Sequence, residues 1–254
     1  MEKKETIIEV KNLSKKYGEF EAVKNISFEV YEGEIFGLLG PNGAGKTTTF
    51  EIMETLKDET SGEVVIAGHS INKDPEAIKT LIGVQLQASG FPSTLTLKEI
   101  LEQFAALYNV KVNAKELLDK VQLGDKIKSK VKELSGGQKQ RFSIATTLVH
   151  QPPIIFLDEP STGLDPQARR NLWELIREIR DSGTTVVITT HFMDEAEELC
   201  DRVAIMDEGK IISIGVPDAL VEDLLKSGFK NNRIKREATL EDVFIKLTGK
   251  EIRE

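Results

Sequence analysis

The sequence has almost nothing with which to cross-link itself. Its 254 residues include one cysteine, Cys200, so a disulfide within the chain is impossible, and a reducing compartment is the consistent setting. Cys200 lies in the helical-looking stretch Asp194 to Asp201 and reads as a small core residue rather than a nucleophile. No apolar run approaches the ~18 residues that a membrane-spanning helix needs. The N-terminal Met1-Glu2-Lys3-Lys4-Glu5 is charged and carries no apolar signal core. An excess of positive charge is also missing. The net charge is −8, whereas a chain bound mainly to nucleic acid phosphates is more often basic. There is no internal repeat and no low-complexity segment. What is left suits one large α/β domain or two small ones, long enough to bury a proper core.

One stretch organises the rest: Gly40-Pro41-Asn42-Gly43-Ala44-Gly45-Lys46-Thr47-Thr48. It fits G-x-x-x-x-G-K-[ST], the P-loop or Walker A pattern. The short apolar run Glu34 to Leu39 before it reads as a buried strand, and Thr47 to about Leu56 after it has no Pro or Gly and can run as a helix. Glycines at 40, 43 and 45 let the backbone curl so that successive N–H groups face an anion, and the helix start adds its positive end. Lys46 has the reach for β- and γ-phosphates, and the Thr47 hydroxyl is a ligand for Mg²⁺.

Elsewhere the texture alternates between strand and helix. Thr6 to Asn12 and Glu21 to Val30 are alternating strands around a turn at Lys15 to Glu19, which predicts an antiparallel layer ahead of the core. Tyr17, beside that turn, is either a packing residue or a face for a nucleobase. Glu63 to Gly68 is a further strand, and His69 falls in a surface turn. From about Gly90 to Lys132 the pattern is helical. Thr96 and Glu99 form a helix-start signal, and Leu97, Ile100, Leu101, Phe104, Leu107 and Tyr108 share one helical face. A second helix spans Asn113 to Gln122, and Leu134-Ser135-Gly136-Gly137-Gln138 opens another through about His150. Ile154 to Leu157 reads as a parallel strand buried on both faces, ending in Asp158-Glu159 at the carboxyl edge where α/β sheets bind ligands. Asp158 is there the expected Walker B acid, holding Mg²⁺ through water, with Glu159 close to the γ-phosphate. Ser161 to Pro166 is turn-rich, Gln167 to Arg180 an amphipathic helix, and Thr184 to Thr190 a strand ending at His191, level with Asp158. Asp194-Glu195-Ala196-Glu197-Glu198 reads as a solvated helix face, Val203 to Ile214 as a hairpin around Glu208-Gly209, and Pro217 to Glu254 as a charged helical tail.

With Leu134 to Gln138 ahead of Asp158-Glu159, the chain resembles the ATPase subunit of an ABC transporter over about Ile7 to Pro217. Walker A, the Leu-Ser-Gly-Gly-Gln signature, Walker B, the Ser161–Asp165 segment matching the D-loop, and His191 stand in the family's order. The resemblance implies an α/β fold: a P-loop NTPase core with an antiparallel β layer and a helical ABC-specific subdomain. It divides the chain into an ATPase domain at 1–220, with the helical subdomain inserted at about 90–150, and a helical tail at 221–254.

It also assigns roles. Tyr17 stacks on adenine. Residues Gly40 to Thr48 hold the phosphates. Gln87, with Gln85 as a nearby competitor, touches Mg²⁺ or water and senses the membrane partner. Ser135, Gly136, Gly137 and Gln138 grip the γ-phosphate of ATP held by the other subunit. Glu159 is the catalytic base, His191 contacts the γ-phosphate and the attacking water, and Thr47, Gln87 and Asp158 serve Mg²⁺. The implied cofactors are ATP and Mg²⁺. The implied partners are a membrane permease and a second copy, with ATP sandwiched between them and no nucleic acid involved. The implied place is the cytoplasmic face of the cell membrane. The tail Ala238 to Gly249 resembles the drug- and polysaccharide-export branch. The alternatives are an importer ATPase, or a soluble ABC ATPase of DNA repair or translation, whose usual coiled-coil or zinc insertions have no counterpart here. A P-loop kinase or GTPase has no use for Leu134 to Gln138.

Overall fold

A computed structural model describes residues 5–85, 90–229, 243, 246 and 247. The chain opens on two twelve-residue strands, β1 (Thr6–Tyr17) and β2 (Phe20–Tyr31). β1 runs five residues past the expected stop at Asn12. At Asn12 the backbone turns left-handed, φ 50°, and pairing with β2 slips between Val10 and Leu13. That irregularity interrupts the alternation, so the strand's second half looks like a loop in sequence. Next come β3 (Ile35–Leu39), α1 (Lys46–Met53), β4 (Ser61–Ile66), β5 (His69–Ser70), α2 (Pro75–Leu81) and β6 (Ile82–Gln85). α3 (Leu97–Leu107), α4 (Ala114–Lys120) and α5 (Gly136–Thr147) lead into β7 (Ile154–Asp158). The remainder is α6 (Pro166–Asp181), β8 (Thr185–Thr190), α7 (Met193–Leu199), β9 (Arg202–Asp207), β10 (Lys210–Gly215) and α8 (Pro217–Lys226). His69, expected in a turn, pairs with Ile66 in the short β5.

The strands form two sheets. One is antiparallel, in the order β2-β1-β4-β5; the other has the order β10-β9-β3-β8-β7-β6, parallel throughout except at its β10 edge. Side chains alternate between the two faces of a strand, and here both faces are covered. Ile35, Leu39, Ile155, Leu157, Val186 and Ile188 pack into the helix-side core, while Phe36, Leu38, Ile154, Phe156 and Val187 pack into a core shared with α1 and the antiparallel sheet. Burial on both sides is why these strands read as unbroken apolar runs.

The described residues between β6 and β7 form helices and their connections, with no named strand. Thr96 and Glu99 make the expected capping box on α3, Glu99 Oε2 accepting from Thr96 N–H at 2.8 Å. Leu97, Ile100 and Leu101 are buried, but Leu107 is 81% exposed, against the expected stripe. The core lies on the Ala105 side of the helix, and α3 ends at Leu107. Tyr108 leaves the helix to stack on His150, ring centroids 3.8 Å apart. The division expected near residue 220 falls inside α8, whose Leu224 joins the helix-side core together with Val243; most of the tail lies outside the described residues.

Phe156 is fully buried and meets Phe50 edge to face, centroids 5.4 Å apart. Phe156→Ala empties the point where β7 packs on α1 and should cost about 3–5 kcal/mol of unfolding free energy, measured by urea denaturation.

Candidate active site

Three strand ends meet one helix start. β3, β8 and β7 are in parallel register, with Leu39 opposite Thr190 and Asp158 opposite Thr189. The residues beyond those ends therefore share one crevice: the loop at 40–45 after β3, Glu159 after β7, and His191 after β8. Gly40 N–H donates to Thr190 O at 3.2 Å, which ties the loop to β8. A Cβ on Gly40 would lie 2.2 Å from Met206 O, and one on Gly45, at φ 99°, would lie 2.6 Å from Ala22 O. Neither position has room for a side chain. Gly45 is the N-cap of α1, so the helix begins in the crevice with first-turn N–H groups that have no intrahelical partner. The β9–β10 turn braces this loop. Gly209 N–H donates to Ala44 O at 3.0 Å, and Gly209 O accepts from Lys24 N–H at 2.7 Å.

Lys46 is buried. Its Nζ donates to Gly40 O at 2.8 Å and Pro41 O at 3.1 Å, and stands 3.7 Å from Glu159 Oε1. Burial lowers its pKa, while the charges of Glu159 and Asp158 hold it up. Asp158 is buried as well, and burial raises its carboxyl above the ordinary range; a hydrogen bond from the Thr189 hydroxyl opposes that, and the Glu159 charge adds to it. The same Thr189 Oγ1 accepts from Glu159 N–H at 2.9 Å, so one hydroxyl orients both acids. Glu159 is left-handed at φ 46°, a conformation costing roughly 1–3 kcal/mol for a residue with a side chain. Its Oε1 lies 3.2 Å from His191 Nδ1, and its Oε2 accepts from the Thr162 hydroxyl at 3.3 Å.

Lys46, Asp158, Glu159 and His191 are thus together. Asn42, Gly43 and Thr47 are exposed beside them, and Thr48 is half-buried. The signature makes its own contacts. Ser135 and Gly136 are exposed, and among the described residues Ser135, Gly136, Gly137 and Gln138 make no hydrogen bond to residues 40–48. Ser135 caps α5, accepting from Gln138 N–H at 3.3 Å, while Gln138 Oε1 accepts from Ser135 N–H at 3.0 Å. Tyr17, at the end of β1, is 43% exposed with Lys15 Nζ 5.2 Å from its ring centroid. Gln87 lies outside the described residues; Gln85 closes β6 and is buried.

Two features escape the sequence reading. Thr189 looks like an ordinary β-branched strand residue, and only register reveals what it holds. Glu195 overturns the expected solvated face: it is 1% exposed, inside the protein against Ser161 and Trp173. On a helix of seven residues, one acid of four turns inward because α7 packs its Glu195–Ala196 side on the core.

Comparison with known proteins gives the family. A family model described as ABC transporter matches residues 23–162. The chain is 35% identical to the Nod factor export ATP-binding protein I of Burkholderia lata, over 97% of this chain and 98% of that protein. It is 39% identical to the linearmycin resistance ATP-binding protein LnrL of Bacillus subtilis, over 86% of this chain and 72% of that one. Among solved structures, a dimeric ATP-binding cassette in a post-hydrolysis state bound to ADP and Pi superposes with a TM-score of 0.73 at 30% identity, covering 82% of this chain and 98% of that one.

Glu54, the C-cap of α1, is also buried, and burial together with the Asp158 and Glu51 charges pushes its carboxyl from 4.5 to about 8. Between those values the folded chain keeps a proton that the unfolded chain has lost. Stability from this group is therefore intact below pH 4.5 and is lost as pH rises through 8. Glu54→Gln should raise the Tm of the nucleotide-free protein by several degrees at pH 8.5 and leave it nearly unchanged near pH 4.5, read by thermal melts across that range.

Proposed function

The chain belongs to the ABC transporter family of ATP-binding subunits, which hydrolyse ATP, and on that footing we propose that it is the energy-coupling subunit of an exporter. The observation that carries the proposal is the convergence of Lys46, Asp158, Glu159 and His191, while Ser135 stands exposed at the start of α5. Members of the family work with membrane permeases and dimerise. Export is the direction given in the name of the Nod factor relative and fits a resistance function in the linearmycin relative. Among the described residues no helix is long and apolar enough to cross a membrane. From its family we place the chain on the cytoplasmic face, held there by the permease.

In this reading ATP lies along residues 40–48, its adenine on Tyr17. Lys46 exchanges the carbonyls of Gly40 and Pro41 for the β- and γ-phosphates, aided by the first-turn N–H groups of α1. The donors fit Mg²⁺: all are oxygens, Asp158 is a buried carboxylate raised by burial, and the described residues contain no cluster of three or more acids, His or Cys that would cage a metal alone. A hard cation that completes its shell from water and phosphate suits such a site. Thr47, Asp158 and Gln87 would hold it, and it supplies charge neutralisation at the phosphate oxygens. Glu159, aimed out of its strand and steadied by Thr162 and His191, takes the proton of the attacking water. His191 keeps that carboxylate in line and reaches the γ-phosphate. Ser135, Gly136, Gly137 and Gln138 present a helix start to the ATP of the opposite copy, giving two equivalent sites in a two-fold homodimer.

Glu159→Gln keeps the size and polarity of the side chain but cannot take the proton. We expect turnover to fall roughly 10²-fold or more, and an ATP-dependent dimer to accumulate on size-exclusion chromatography, with Lys46→Ala remaining monomeric. Turnover at the parental rate would remove Glu159 from the mechanism. Tyr17→Ala should weaken ATP binding several-fold by equilibrium titration, since stacking contributes on the order of 1 kcal/mol, while Tyr17→Phe should change it little.

A further inference from the structure

Glu195 has no part in the chemistry above, yet it is placed between the turn that follows Glu159 and the helix that follows His191. Its Oε1 accepts two hydrogen bonds, from the Ser161 hydroxyl and from Trp173 Nε1 at 2.9 Å. Ser161 is fully buried and opens the turn that follows Glu159 and Pro160. Trp173 lies on α6, the helix that this turn enters at Asp165. The Thr190 hydroxyl stands close enough to the same carboxylate to favour its charge, and accepts from Phe192 N–H at 2.9 Å. Thr190 is the last residue of β8, and His191 follows it. One carboxylate therefore joins the turn leaving Glu159 to the helix behind that turn, and it sits on α7, whose N-cap Phe192 directly follows His191.

An acid is a poor filler for such a place. Taking a carboxylate out of water carries a large desolvation cost, and an apolar side chain of the same volume packs a core as well or better. Both of its hydrogen bonds fall on one oxygen, Oε1. What the acid adds is a joint. A hydroxyl on the Ser161 turn and an indole on α6 are held by one group whose own position is set by packing of Ala196 and Leu199 in the core.

We propose that Glu195 is a positioning residue for ATP hydrolysis, coupling the turn at Ser161–Asp165 to His191 so that displacement of that turn by a second copy is felt at the γ-phosphate. This rests on the ATPase reading above. The coupling operates only when two copies close on ATP. Its loss therefore lowers kcat while leaving ATP binding to one copy intact. Trp173 is the chain's one tryptophan and shares its acceptor oxygen with Ser161, so its emission reports on the joint directly.

The test uses the 254-residue chain with Ser161→Ala, which removes one hydroxyl and leaves Glu195 paired with Trp173, and with Glu195→Gln, which keeps an acceptor oxygen but not the charge. For Ser161→Ala we expect kcat to fall five- to tenfold, KM for ATP to stay within twofold, and the change in Trp173 emission on adding ATP and Mg²⁺ to disappear. Glu195→Gln should fall between Ser161→Ala and the parent in both readouts. A Ser161→Ala protein with parental kcat overturns the coupling, and so does one whose kcat, ATP affinity and Tm decline together, since that marks a purely structural role. Should Glu195→Gln fail to fold, Ser161→Ala alone decides. If the parent has no ATPase activity that depends on Lys46, the ATPase reading falls and the coupling with it. An active parent with an indifferent Ser161→Ala overturns the coupling alone.

Discussion

The parallel register of β3, β8 and β7 is the constraint on which the rest depends. Hydrogen bonding sets Leu39 opposite Thr190 and Asp158 opposite Thr189, so residues far apart in sequence end at one level. Register of this kind is strongly specified when both faces of a sheet are buried, because a slip of one residue would turn every side chain to the wrong core. Phe36 and Phe156 on one face, and Ile35 and Ile155 on the other, lock it. The crevice is then a consequence of packing far from any ligand.

Within the crevice, charge is concentrated where water is scarce. Lys46 and Asp158 are both buried, and each is pushed toward its neutral form by burial while its neighbours pull in opposite directions. Anionic phosphates and a cation brought among such groups would change their interactions strongly. The left-handed turn at Glu159 belongs to the same economy: its unfavourable backbone is offset by bonds to Thr189, and it aims the carboxylate at His191 rather than along the strand. The exposure of Ser135 at the start of α5 is the complementary fact. A helix start with exposed Ser and Gly residues is open to an anion from outside the fold.

Much was legible from residue order alone, because the decisive features are local. Gly40, Gly45 and Lys46 are read from backbone sterics and side-chain reach. Thr96 and Glu99 announce a helix start because a capping box needs only four residues. The apolar runs at 35–39, 154–158 and 185–190 announce buried strands because both faces need covering. Family resemblance joined these pieces into one architecture, and the comparisons agree with it. Where local reading failed, a longer-range interaction decided. β1 continues through its irregularity at Asn12 because β2 and β4 hold it on both sides. Leu107 leaves the core because α3 ends there.

By itself the sequence determined the chemistry available: a phosphate-binding turn, a lysine, paired acids closing a strand, a histidine closing another, and a helix start rich in Ser and Gly. Tertiary structure decided which of these meet. Thr189 becomes the hydroxyl that orients Asp158 and Glu159 only through strand pairing. Gly209 becomes a brace for Ala44 only because the β9–β10 turn folds under the loop. Glu195 looked like one acid among four on a wet helix and is instead a buried joint between Ser161 and Trp173. The physical reason is the same in each case. Steric and capping preferences act over a few residues and are written in their order, whereas burial and register depend on partners about 20 to 170 residues away, which no local pattern names.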